Sequence, residues 1–164
     1  MPIGFAGVCI GLYWGGLTGG RVVSGLVADR FKSTTIIRMG MAGAPLAAAA
    51  LAMRPGPAVT AVACAGLGFL LAPIYPMLIS ATPGRLGARY AQQAIGFQVS
   101  AAYLGVAALP TVGGVMAGRI GLESICPYIV GCLVALLVLH EIILRLVHAH
   151  ATTGRIACNL SEAR

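Results

Sequence analysis

The stretch GGLTGGRVVSGLVADRF, residues 15–31, decides how this chain is read. It is apolar and glycine-rich up to Arg21, carries that single arginine inside the run, and closes on Asp29-Arg30. In a water-exposed helix each interior glycine costs about 1 kcal/mol relative to alanine. In lipid the balance differs, because no hydrophobic force drives one helix against another and small residues let backbones approach closely. The stretch therefore reads as the end of a membrane helix packed on a neighbour, followed by a short charged link.

The rest of the chain agrees. Its 164 residues are 59% hydrophobic and 9% charged, with a mean hydropathy of +0.92; soluble domains carry about 25% charged residues. Uncharged runs cover 1–20, 39–53, 55–84, 90–118 and 124–139. A hydrocarbon core roughly 30 Å thick needs about 20 apolar residues per helix. The runs lack the period-two alternation of a membrane β-barrel. The chain is expected to be an all-α polytopic membrane protein with five spans, at about 3–27, 34–53, 58–82, 91–118 and 124–146. Residues 1–147 form the transmembrane domain, and the polar tail HAHATTGRIACNLSEAR (148–164) is expected to be mobile. The start, MPIGFAGVCIGLYWGG, lacks the basic leader of a cleavable signal and reads as a membrane helix.

Basic residues set the expected orientation. Arg21, Arg30, Lys32 and Arg38 flank the first link, Arg85 and Arg89 the third, and Arg145, Arg155 and Arg164 the tail; Arg54 and Arg119 stand alone on the other side. Nine against two places the tail in the cytoplasm and the N-terminus outside, in the cell (inner or plasma) membrane. These anchors account for most of the net charge of +7, so nucleic acid is not an expected partner. The lipid bilayer is.

Spacing picks out the packing residues. Gly11, Gly15 and Gly19 recur at four-residue intervals, as do Gly16 with Gly20 and Gly114 with Gly118. Such glycines serve either static packing or the sliding of transporter helices. The five cysteines (Cys9, Cys64, Cys126, Cys132, Cys158) form no CxxC pair and read as buried small hydrophobes. The sequence holds no nucleophilic triad, HExxH or phosphate loop, so no enzyme is indicated. No cofactor is implied. His148-x-His150 lacks further ligands, and no metal site is expected.

The polar residues at membrane depth are the site candidates. LLAPIYPMLISATP (70–83) places Pro73 and Pro76 three residues apart, which predicts a kink that frees the carbonyls of about residues 69 and 72. Tyr75 lies in that kink. Gln98, with Tyr103 five residues on, must face inward, either toward a hydroxylated solute or toward another helix. Tyr13, Trp14 and Thr18 form an aromatic and polar group suited to a sugar ring or to interface anchoring. In LLVLHEIILRL (136–146), Glu141 and Arg145 have the four-residue spacing of an ion pair, which favours a structural role over proton relay. Arg21, Asp29 and Arg30, with Gly25, read as a latch joining helix ends at the cytoplasmic face.

Gly25, Asp29 and Arg30 resemble the G-x-x-x-D-R-x-G-R-K loop signature of the major facilitator superfamily, with Lys32 and Ser33 departing from it. The decayed form is similar to the copy in the C-terminal half. YWGGLTGGRVVSGLVADRF and GFQVSAAYLGVAALPTVGGVMAGRIGLESICPY resemble the branch of fucose permeases and related sugar transporters. The resemblance covers nearly all of 1–147. It implies that the five spans correspond to helices 8–12 of a twelve-helix transporter, without helix seven and the N-terminal half. It further implies alternating-access transport of a small, sugar-like solute by symport, and as partner the missing half or another membrane subunit. The competing expectation is an inactive truncated product or a membrane-embedded interaction or regulatory subunit.

Overall fold

A computed structural model describes residues 3–28, 30–31, 33–53 and 56–162, except the side chains of 3, 85, 88 and 148–162. Six α-helices follow one another: α1 (Ile3–Val27), α2 (Ser33–Ala52), α3 (Pro57–Leu71), α4 (Ile74–Leu86), α5 (Ala88–Ile120) and α6 (Ile125–Glu162). A single 3-10 turn, Leu122–Ser124, precedes α6. No strand occurs among the described residues. The chain is an all-α polytopic membrane protein.

The boundaries follow local chemistry. Pro57 starts α3 at a position where its missing N–H costs nothing, with Gly56 before it. Gly87 and Gly121 take φ of +75° and +114°, values that glycine adopts without a Cβ penalty, and they separate α4 from α5 and α5 from the 3-10 turn. Each donates its N–H back into the helix it ends, to Pro83 O at 3.0 Å and to Ala117 O at 3.1 Å.

The third expected span is one crossing made of two helices. α3 ends at Leu71 and α4 begins at Ile74, with Ala72 and Pro73 between them. α2, α3–α4 through Gly84, α5 from Arg89 and the segment Leu122–Val147 are each long and apolar enough to cross a bilayer. That set of four leaves out α1. At 25 residues α1 is also long enough to cross, and its composition is at least as apolar as that of α2 and α5. At the other end, α6 runs unbroken through Glu162, past the boundary drawn at 147. No proline interrupts residues 148–162, and the lone Gly154 is a weak breaker.

α2 is the central helix. Ile37, Met41, Ala44 and Ala48 recur on one face at helical spacing and are all buried. Ile37 and Met41 meet Met77 of α4, with Leu137 of α6 alongside. Ala44 and Ala48 meet Leu67 of α3, with Tyr13 of α1 and Val130 and Leu133 of α6 around them. α5 is held at the margin, where Tyr128 of α6 packs on Gly113 and donates its hydroxyl to Leu109 O at 3.0 Å. Most large apolar side chains face outward, as lipid permits.

α1, α2 and α3 are joined by glycine against backbone. A Cβ at Gly16 would overlap the Ala65 carbonyl oxygen, and one at Gly68 would overlap that of Tyr13. A Cβ at Gly20 would lie 2.6 Å from Phe69 O, and one at Gly40 would lie 2.5 Å from Leu70 O. Of the two glycine series in α1, Gly16 and Gly20 make the interface. Gly11, Gly15 and Gly19 face open space, as do Gly114 and Gly118.

Gly16→Ala is therefore expected to lower the melting temperature of the detergent-solubilised protein. A methyl group meeting backbone costs about 1–3 kcal/mol or more. Gly15→Ala, one residue away in open space, is expected to leave it unchanged or raise it. Equal losses in both variants would show that helix propensity, not close approach, governs these positions.

Candidate functional site

Pro73 and Pro76 each lack an N–H, so the carbonyls of Phe69 and Ala72 lose their helical donors. The backbone nevertheless continues on both sides of the break, with Ala72 N donating to Gly68 O at 3.1 Å and Met77 N donating to Pro73 O at 3.0 Å. Phe69 O is covered by α1 at Gly20, and Leu70 O in the same turn is covered by α2 at Gly40. Contacts between a glycine Cα–H and a carbonyl are worth about 0.5–1 kcal/mol each. One of them covers the freed Phe69 carbonyl.

Two concave features flank this break. An apolar cleft of about 280 Å³ lies between α1, α2 and the α3–α4 joint, lined by Gly20, Ser24, Phe31, Met39, Phe69 and Pro73 among others. Ser24, buried at its edge, donates its hydroxyl to Arg21 O at 3.0 Å. A second groove of about 270 Å³ opens between α4 and α5, lined by Tyr75, Ala102, Tyr103 and Val106. Tyr75 and Tyr103 are both exposed there. Of the six solute-contact candidates, these two are brought together.

Gln98 stands near them but is engaged. Its side-chain amide is 3.1 Å from Thr82 Oγ1, and Thr82 also donates to Leu78 O at 3.0 Å. A hydroxyl has one proton. The consistent arrangement turns the amide so that Gln98 Nε2 donates to Thr82 Oγ1, and Thr82 donates to Leu78 O. Gln98 thus ties α5 to the buried Thr82 of α4.

The remaining three candidates lie elsewhere, on α1. Tyr13 is turned into the core beside Ala44 and Leu67. Trp14 meets it edge-on, with ring centroids 5.8 Å apart, and is 59% exposed. The Thr18 hydroxyl donates to Trp14 O at 2.9 Å, one turn back in its own helix. α1 packs on α3 while α5 packs on α4, so the aromatic groups of α1 and of α4–α5 form two places.

Of the latch residues, Arg21 and Arg30 are exposed and Gly25 meets open space. Asp29 lies outside the described residues. The structure instead joins two helices by a pair that sequence spacing did not reveal. Arg38 of α2 grips Glu141 of α6 with both ends of its guanidinium, Nε to Oε1 at 2.6 Å and Nη2 to Oε2. Glu141 therefore pairs across helices with Arg38, not along its own helix with Arg145. A planar guanidinium matches a carboxylate bidentately, which makes this pair geometrically specific. His140, beside this pair, is buried. Among the described residues no group of three or more His, Cys, Asp or Glu is placed to hold a metal ion.

Comparison with family models, with curated proteins and with solved structures gives no match.

The pairing has a direct test. Glu141→Gln is expected to lower the melting temperature in lipid nanodiscs, and Arg38→Gln to lower it similarly. The double variant should lose little more than either single one, because the two share one interaction. Arg145→Gln is expected to have no such coupling to Glu141→Gln. Coupling to Arg145 instead would restore the intrahelical pair.

Proposed function

We propose that this chain is the C-terminal part of a secondary transporter of the major facilitator type, moving a small, sugar-like solute by alternating access. The observation that carries the reading is the crossing broken at Ala72–Pro73. Discontinuous helices near the middle of a membrane are the usual place for transporter sites. Next to the break, Tyr75 and Tyr103 offer aromatic faces and hydroxyls in one groove, chemistry suited to a ring with apolar C–H faces and polar edges. The motif residues Gly25, Asp29 and Arg30 support the family, and the surplus of basic residues supports a cytoplasmic tail in the cell (inner or plasma) membrane.

The partner required by this reading is the other half of the transporter, because such sites form between two pseudo-symmetric halves. Purified chain alone in proteoliposomes is expected to accumulate no radiolabelled hexose or polyol above empty vesicles. In native cells, disruption of its coding region is expected to abolish uptake of one solute from a panel of hexoses and polyols. Unchanged uptake of every solute would remove the transport reading.

One observation favours a second reading, a membrane-embedded interaction or regulatory subunit. α5 is the least covered helix, with Phe97, Tyr103, Leu104 and Val106 each more than 70% exposed. A stable partner seated there, recovered by cross-linking in cells that show no uptake defect, would select this reading.

The latch assignment is tested through Asp29. In the intact transporter, Asp29→Asn keeps the shape and removes the charge. Losing a charge-assisted hydrogen bond costs on the order of 1.5–3 kcal/mol, which shifts a two-state equilibrium roughly tenfold or more. The expected outcome is a lower transport rate with solute affinity little changed, at equal surface expression. A normal rate would leave these residues as topology anchors.

A further inference from the structure

Cys9 of α1 and Cys64 of α3 are 55 positions apart in the sequence, yet the packing of α1 on α3 brings them to one level. The register follows from the backbone contacts. Tyr13 O lies against Gly68, and each cysteine stands four residues, one helical turn, before one of these two residues. Gly16 against Ala65 and Gly20 against Phe69 fix α1 and α3 as parallel neighbours, since both members of the contact advance together along their helices. One turn back from Tyr13 and Gly68 therefore puts Cys9 beside Cys64. On α1, residues 9, 13, 16 and 20 share a face. On α3, residues 64, 65, 68 and 72 do likewise. Both cysteines stand on the seam and both are half-buried, with the two thiols near enough to act on each other electrostatically.

Close approach is what a disulfide needs, since its two Cα atoms must lie roughly 4.4–6.8 Å apart. Two ordinary helices pack at about 8–10 Å between axes with side chains filling the gap. Gly16 and Gly68 remove that filling next to the pair. The neighbouring thiols offer a contrast. Cys126 and Cys132 lie six residues apart on α6, roughly 9 Å along its axis at 1.5 Å per residue.

We propose that Cys9 and Cys64 are a redox-sensitive pair, oxidised within the membrane by a lipid-soluble quinone to a disulfide that ties α1 covalently to α3. Both S–H bonds break and one S–S bond forms. The two electrons and two protons pass to the quinone, which leaves as the hydroquinone. Both thiols lie near the N-terminal ends of their helices, within roughly 11 Å of the helix start at 1.5 Å per residue, and so at one end of the bundle. An apolar acceptor dissolved in the bilayer reaches that end without entering water.

The test uses the intact chain in native membranes. Decylubiquinone is added, free thiols are then blocked with N-ethylmaleimide, and the protein is digested for mass spectrometry. The expected product is a peptide pair linking Cys9 to Cys64 within a monomer, separated by dithiothreitol, with Cys126, Cys132 and Cys158 alkylated. Cys64→Ser should abolish the link and leave Cys9 alkylated. A second readout is thermal: the oxidised wild type should melt higher than the reduced form, and Cys64→Ser should show no such difference. Full alkylation of both Cys9 and Cys64 after quinone would overturn the proposal, as would a link joining two copies of the chain.

Discussion

The packing of this protein depends on glycine lying directly against carbonyl oxygen between α1, α3 and α2. In water, helices are pressed together because their apolar faces leave solvent; in lipid that drive is absent, and association relies on dispersion and close polar contact. Gly16, Gly20, Gly40 and Gly68 let backbones reach each other across two seams. A larger residue at any of them would separate the helices and forfeit contacts along the seam, because dispersion falls steeply with a gap of even an ångström. α2 then completes the arrangement by burying Ile37, Met41, Ala44 and Ala48 against α3, α4 and α6.

The same glycines make the broken crossing tolerable. Unpaired backbone groups inside hydrocarbon cost several kcal/mol each, and Pro73 and Pro76 leave two carbonyls without donors. Gly20 covers one of them and Gly40 covers the carbonyl next to it, so α1 and α2 support the joint from two sides. Past the joint, α4 packs on α5, where Thr82 and Gln98 form a polar contact. The Tyr75–Tyr103 groove lies between these two helices. Break, seam and groove are thus one mechanical unit, and the cysteine pair sits at its far end.

Polar groups at membrane depth follow a common rule. Long side chains reach partners on other helices, whereas short hydroxyl side chains bond to the preceding turn of their own helix. Arg38 with Glu141, Gln98 with Thr82 and the Tyr128 hydroxyl with Leu109 O all join different helices. The contacts that stay within one helix, such as Thr18 to Trp14 O, Ser24 to Arg21 O, Ser80 to Met77 O and Thr111 to Ala107 O, belong to hydroxyls on short side chains that can reach the preceding turn.

Sequence by itself determined the helical class, the break at Pro73 and the presence of a small-residue seam in α1. These are local properties: apolar run length, missing N–H groups and glycine spacing act on the chain within a turn or two. It did not decide which glycines would be used, because Gly15–Gly19 and Gly16–Gly20 have the same spacing and differ only in the face they occupy. Nor did it decide that Glu141 meets Arg38 rather than Arg145, that Gln98 meets Thr82, that Tyr13 turns inward while Trp14 stays out, or that Cys9 faces Cys64. Each of these depends on the rotation and register of one helix against another. Those are set by the summed packing of whole faces, which only the folded bundle holds.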